Sequence, residues 1–227
     1  MEKPKFISEP NCIYHIYNRG VEKRKVFLGD KDYFRFIHDL FEFNDTVPAG
    51  KFSTIGGSTS DSRKKRNLIV EILAFCLMPN HFHLFIRQLV EGGIVKFMQK
   101  LGTGYTMYFN EKYKRVGGLF QGRFKAILID DENHFLYLPY YIHSNPLDLI
   151  MPKWKEKGIE DWRKTNQFLE SYRWSSYLDY IGKKNFPSVI STELLNELCG
   201  GPKEYKSAMK GWFESLDIEE IKELILE

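Results

Sequence analysis

Apolar and polar positions alternate from Asn11 to Asn18 (NCIYHIYN), the period-two pattern of a first β-strand. After it, Asp30 stands as an N-cap before Tyr33, Phe34, Ile37, Leu40 and Phe41, whose spacing predicts an amphipathic helix to about Phe43. Leu68 to Leu77 (LIVEILAFCL) is a near-continuous apolar run of strand length; MPN then turns the chain, and His81 to Arg87 returns as a partner strand. Gly92 and Gly93 precede a second helix, roughly Ile94 to Tyr113, with Ile94, Phe97, Met98, Leu101, Tyr105 and Tyr108 or Phe109 spaced for burial. Leu119 to Ile129 (LFQGRFKAILI) reads as another strand carrying Gln121, Arg123 and Lys125 on one face. Asp130 or Asp131 then caps a third helix that runs to Ser144-Asn145-Pro146, and Pro139 inside it should kink or restart it.

This order, βαββαβα, predicts an α+β fold: a ferredoxin-like sandwich, with an antiparallel sheet and helices packed on one face. Two segments stand outside the pattern. Residues 45–67 turn to Gly, Ser, Thr, Pro and Lys, as expected of a flexible insertion. Beyond Pro146 the chain becomes Trp- and Lys-rich, then helical over Thr192 to Cys199, Pro202 to Phe213 and Asp217 to Leu226. The expected division is a catalytic domain over 1–149 and a mainly helical extension over 150–227.

At 227 residues and 43% hydrophobic, the chain can bury a core of domain size. No apolar run is long enough to span a bilayer and MEKPKFISEP lacks the apolar stretch of a signal peptide, so a cytoplasmic protein is expected. Cys12, Cys76 and Cys199 lack metal-type spacing and are odd in number, which argues for reduced core residues. The 33 basic residues nearly balance the 30 acidic ones, so the +3 net charge matters less than its clusters: Arg63-Lys64-Lys65-Arg66, Lys112-Lys114-Arg115 and Arg123-Lys125. With aromatics at 15%, such clusters suit single-stranded nucleic acid, where bases stack and phosphates need neutralising; a solvated surface over an aromatic core fits the composition equally well.

The chemistry enters at MPNHFHLFI. On a strand, His81 and His83 face the same way and can offer two imidazoles to one metal, while Phe82, Leu84 and Ile86 enter a core. Taken alone, the pair reads more readily as two half-buried histidines of an ordinary strand. In YLPYYIHSNP, however, Tyr137, Tyr141 and Asn145 recur every four residues and form one helical stripe, with Tyr140 rotated off it by about 100°. A divalent metal on His81, His83 and Asn145 can polarise a phosphodiester that a tyrosine oxygen then attacks; two imidazoles with open positions fit Mg²⁺ or Mn²⁺, with some preference for Mn²⁺. His15, on the first strand, is a further polar residue near this site or simply a satisfied strand histidine.

MPNHFHLFI, GGLFQGRFK and YYIHSNP, in this order and spacing, resemble the His-hydrophobic-His (HUH) single-tyrosine transposases, and most of all the REP-associated tyrosine transposases, relatives of insertion-sequence transposases that move as single strands. The resemblance covers roughly Cys12 to Leu149 and extends more weakly through Ser171 to Gly182. It implies a metal-dependent nickase and strand transferase that recognises a hairpin in single-stranded DNA and passes through a 5′-phosphotyrosine with a free 3′-hydroxyl. On this resemblance His81 and His83 match the metal ligands, Tyr141 the nucleophile and Asn145 the polar ligand one turn later. Tyr140 is held in reserve as nucleophile because Pro139 disturbs the register. Gln121, Arg123 and Lys125, with Lys112, Lys114 and Arg115, are the expected DNA contacts. Relatives occur as monomers and homodimers and include members taken over for host roles, so a nucleic-acid-binding protein that does not cut is the alternative.

Overall fold

The computed structural model describes residues 9–47 and 66–215. Most of the insertion, with Arg63 to Lys65, and the expected helix over Asp217 to Leu226 lie outside the described residues. Four strands form one antiparallel sheet: β1 (Ile13–Arg19), β2 (Val70–Met78), β3 (His81–Gln88) and β4 (Lys125–Leu128), in the spatial order β2-β3-β1-β4. With helices α1 (Asp30–Glu42), α2 (Gly93–Tyr113) and α3 (Glu132–Ser144) between and after them, this is the ferredoxin-like arrangement expected from the patterning.

The register divides the strand residues between two faces. Tyr14, Ile16, Phe75, Leu77, Phe82, Leu84 and Ile86 meet α1 and α2 in one apolar core, to which α1 contributes Tyr33, Phe36, Ile37 and Leu40. Phe36 takes the inward place, and Phe34, placed in that stripe by spacing, is 43% exposed. Between the two helices, Asp32 of α1 is wholly buried and takes hydrogen bonds from Lys112, Tyr108 and Tyr113 of α2.

Helices were expected on one face, but the opposite face is covered too, by α3 and by the chain beyond it: α4 (Trp154–Lys157), α5 (Trp162–Ser171), α6 (Tyr177–Tyr180), α7 (Glu193–Cys199) and α8 (Pro202–Glu214). Leu73, Ala74, Cys76 and Phe85 of the sheet share a second core with Tyr141, Trp154, Tyr177, Tyr205 and Trp212. The C-terminal extension is therefore the second layer over the sheet. It also closes the outer edge of β2, where Leu77 N donates to Trp174 O and Ser176 N to Phe75 O, satisfying backbone groups that an edge strand would expose.

Three local features bear on the expected elements. The fourth strand is short, because Gly122 (φ +76) turns the chain and its N–H bonds Phe120 O, so regular pairing starts only at Lys125. Helix α3 runs through Pro139 without restarting. The insertion is closed at its neck by Thr46 N donating to Asn67 O at 2.9 Å, which lets it leave the sheet connections undisturbed.

Candidate active site

The face that α3 covers carries the polar residues in cross-strand rows. Arg19 of β1 lies opposite His81 of β3; in the next row Cys76, His83, Tyr17 and Lys125 are aligned across all four strands; in the third, His15 lies opposite Phe85 and Ile127. Directly opposed residues share a face, so two histidines of β3 and one of β1 converge from alternation and register alone.

Their rings are in contact. His81 and His83 are 5.0 Å apart between ring centres, and His15 stacks on His83 at 5.2 Å with Nε2 2.9 Å from Nδ1 of His83. His81 Nδ1 lies 2.7 Å from Oδ1 of Asn80, an acceptor, so this nitrogen carries the proton and Nε2 keeps its lone pair. All three imidazoles are held neutral. Burial, helped by repulsion from His134, takes His15 down to about 3. Burial and then the charges of Lys155 and Arg19 take His81 to about 4. His83, fully buried, is driven well below the ordinary range, with further contributions from His81, His15 and Lys155.

Tyr141 projects from α3 onto this cluster. Its ring centre is 6.0 Å from that of His83 and 6.3 Å from that of His15, both edge-on, and its side chain is fully buried. Asn145, one turn on, donates from Nδ2 to Tyr141 O at 2.9 Å and to Ile142 O at 3.4 Å, so Oδ1 is the atom it could offer to a cation. Tyr140 is turned away: its hydroxyl lies 3.7 Å from Cys199 Sγ and its ring packs on Tyr205 and Trp212. His143, in the same motif, is a core residue bonded to Tyr205 Oη at 2.7 Å and Ser176 Oγ at 2.8 Å, tying α3 to the C-terminal layer.

Beside His81 a polar cleft of about 150 Å³ is lined by Tyr17, Asn18, Arg19, Gln121 and Lys125. Gln121 and Lys125 thus reach the histidine side, but Arg123 does not. The turn at Gly122 breaks the expected common face and sends Arg123 to the border of a larger cavity, about 1040 Å³, between α2 and the Gly118–Ala126 stretch. Lys112 is paired with buried Asp32, and Arg115 with Asn110 at 3.1 Å; both belong to α2 and its end, on the other face of the sheet. Lys114, exposed at the same end, has the left-handed φ of +52 that closes the helix.

Four further side chains complete the site. Tyr17 and Arg19 continue the alternation that starts at His15 and were within reach of that argument. Asn80 belongs to the quoted MPN turn. Lys155 had no signal: it comes from α4, with Nζ 5.3 Å from the Tyr141 ring centre and 3.2 Å from Asp148 Oδ2.

Two neutral imidazoles and an amide oxygen fit a divalent metal with open positions for phosphate and water oxygen. Among the described residues no group of three or more His, Cys, Asp or Glu side chains is assembled for metal binding. Nor, among those residues, is any helix long and apolar enough to cross a membrane.

Two comparisons with known proteins found matches. Residues 61–145 match the family model described as "Transposase IS200 like", a range that contains both histidines, Tyr141 and Asn145. A solved structure described as "Structure of the REP associates tyrosine transposase bound to a REP hairpin" is similar with a TM-score of 0.50 at 14% identity, covering 84% of this chain and 92% of that one. No curated protein matches. The resemblance to single-tyrosine transposases thus holds in the sequence of the central region and in the fold of most of the chain.

Proposed function

We propose that this protein is a divalent-metal-dependent DNA strand transferase that cuts single-stranded DNA next to a hairpin and keeps the 5′ phosphate on Tyr141. The observation that carries the reading is the meeting of Tyr141 with His83, from segments far apart in sequence, at 6.0 Å between ring centres. His81 and His83, neutral at physiological pH, and Asn145 Oδ1 are the groups to hold Mg²⁺ or Mn²⁺. When bound, such an ion supplies Lewis-acid polarisation of the phosphate.

The protein's own contributions follow from its charges. Arg19 and Lys125, with Gln121 in the same polar cleft, fit a phosphate of the strand, and Tyr17 gives a ring beside it. Tyr141 Oη forms a bond to phosphorus, the bond to the 3′ oxygen breaks, the phenolic proton departs and the 3′ oxygen takes one up. Because one phosphate ester replaces another, the step can run backwards and rejoin DNA. A phenol is a weak nucleophile near neutral pH, and Lys155 Nζ, 5.3 Å from the Tyr141 ring centre, is a positive charge placed to offset the negative charge that gathers on the attacking oxygen and the phosphate.

One feature favours the alternative of binding without cutting: Tyr141 is fully buried, and DNA has to gain access to it. Incubation of the protein with hairpin-bearing single strands and Mn²⁺ separates the two. A labelled protein–DNA adduct that survives a denaturing gel, and that Tyr141→Phe abolishes while hairpin binding persists, is the expected result. An undiminished adduct with Tyr141→Phe removes the nucleophile assignment.

A further inference from the structure

We infer that Asn80 is a positioning residue that selects the metal-binding tautomer of His81; its consequence for metal affinity rests on the function proposed above. A neutral imidazole has one N–H and one lone pair, and it can ligate through Nε2 only when the proton is on Nδ1. Asn80 Oδ1, 2.7 Å from Nδ1, accepts that proton's hydrogen bond. A reversed amide would place an N–H donor there and select the opposite tautomer, so the orientation of Asn80 decides the matter.

That orientation is anchored. Asn80 Nδ2 donates to Lys23 O at 3.3 Å, which holds Oδ1 toward His81. The Lys23 carbonyl is presented by a turn in which Glu22 and Lys23 both have left-handed backbones, φ 55 and 59. Non-glycine residues adopt this conformation only against a steric cost, which the rest of the turn must offset. The Pro79-Asn80 backbone is clamped in turn: Gly20 N donates to Asn80 O at 2.8 Å, and Val26 N and Phe27 N donate to Pro79 O at 2.8 and 3.1 Å. Gly20 sits so tightly that a Cβ there would come within 2.9 Å of Val26 Cγ1 and closer still to Arg24 O. Two strained residues and a glycine thus hold the amide that orients one ring nitrogen.

His83 is arranged differently. Its Nδ1 faces the ring nitrogen of His15 at 2.9 Å, where either partner can donate. At His81 the partner is an amide oxygen, which can only accept.

Long-range ¹H–¹⁵N spectra of the metal-free full-length protein test this directly. In the wild type, His81 is expected to show a protonated Nδ1 and a bare Nε2. Asn80→Ala should shift it toward the Nε2–H form and weaken Mn²⁺ binding, followed by calorimetry, by about 10- to 100-fold. Asn80→Asp retains the acceptor and should restore both the tautomer and most of the affinity, which separates tautomer selection from simple damage to the turn. An Nε2–H signal at His81 in the wild type, or an unchanged tautomer in Asn80→Ala, overturns the inference. A wild type with the expected tautomer and no Mn²⁺ binding instead overturns the metal reading, and with it the affinity half of the inference.

Discussion

Lys155 brings its ammonium within 5.3 Å of the Tyr141 ring centre and, adding to burial, lowers the proton affinity of His81 and His83, so it acts on three of the groups assigned to the chemistry. Asp148, 3.2 Å away, keeps it in place, and only 21% of the side chain is exposed. A charge so placed stabilises a phenolate and the extra negative charge of a phosphate under attack. Lys155→Met should slow single-turnover adduct formation by about 100-fold, with hairpin affinity within a few-fold of wild type and partial recovery in Lys155→Arg. Equal losses in affinity and rate would reduce Lys155 to an ordinary phosphate contact. The contrast with the histidines shows what was legible at this scale. His81 and His83 share a face by the period of a strand, and Tyr141 and Asn145 share one by the period of a helix, so spacing alone paired each couple. Lys155 follows Pro146 on an irregular path through a 3-10 turn and a four-residue helix, where no period constrains direction. Arg123 misled for a related reason: alternation extrapolates only while the backbone stays extended, and Gly122 ends that.

Helix α2 spans 21 residues and was found within one residue of its bounds, because its apolar stripe and flanking glycines are both explicit in the sequence. Its two interior glycines look alike in sequence and differ in space. At Gly102 a Cβ meets nothing within 4 Å, whereas at Gly104 it would lie 2.6 Å from the Phe43 ring at the end of α1. Gly102→Ala should therefore gain helix propensity, about 0.5–1 kcal/mol, and raise Tm by about 1–4 °C. Gly104→Ala forces Phe43 out of its place and should lower Tm by about 3 °C or more, an overpacking cost of about 1–3 kcal/mol. Thermal melts of the two variants, measured side by side, check the pair; equal shifts would mean that α1 and α2 do not meet through Phe43 and Gly104. Such asymmetry is invisible to patterning, since a glycine in a helical stripe can mean close approach or none. The same limit hid the roles of α5, whose buried face is partly polar, with Thr165 and Asn166 beside Leu169, and of α6, which has only four residues.

At the scale of the molecule, the sheet is enclosed by two layers, and the site lies under the second, to which the sequence beyond Pro146 gave few clues. That layer is held in part by one carboxylate. Glu170 of α5 accepts from Asn166 Nδ2 at 2.6 Å, from Lys183 Nζ at 2.6 Å and from Lys206 of α8 at 2.7 Å, joining three segments that are separated in sequence. Partial burial by itself would raise its pKa; the hydrogen bonds from the two lysines and the asparagine outweigh it and bring the carboxyl down to about 2. Since the folded value lies below the unfolded one, near 4.3, the unfolded chain binds the proton more readily and the stabilisation is complete above that pH. It declines as pH falls from about 4.5 and is gone below about 2. Lys183 and Lys206 are 57% and 40% exposed, so solvent screening reduces the contribution to about 1 kcal/mol. Glu170→Gln should thus lower Tm at pH 7 by about 2–4 °C, and the two melting curves should converge as pH approaches 2. A difference that stays constant across that range would assign the loss to packing of the side chain, and the ion pairs would then contribute nothing to closing the layer over Tyr141.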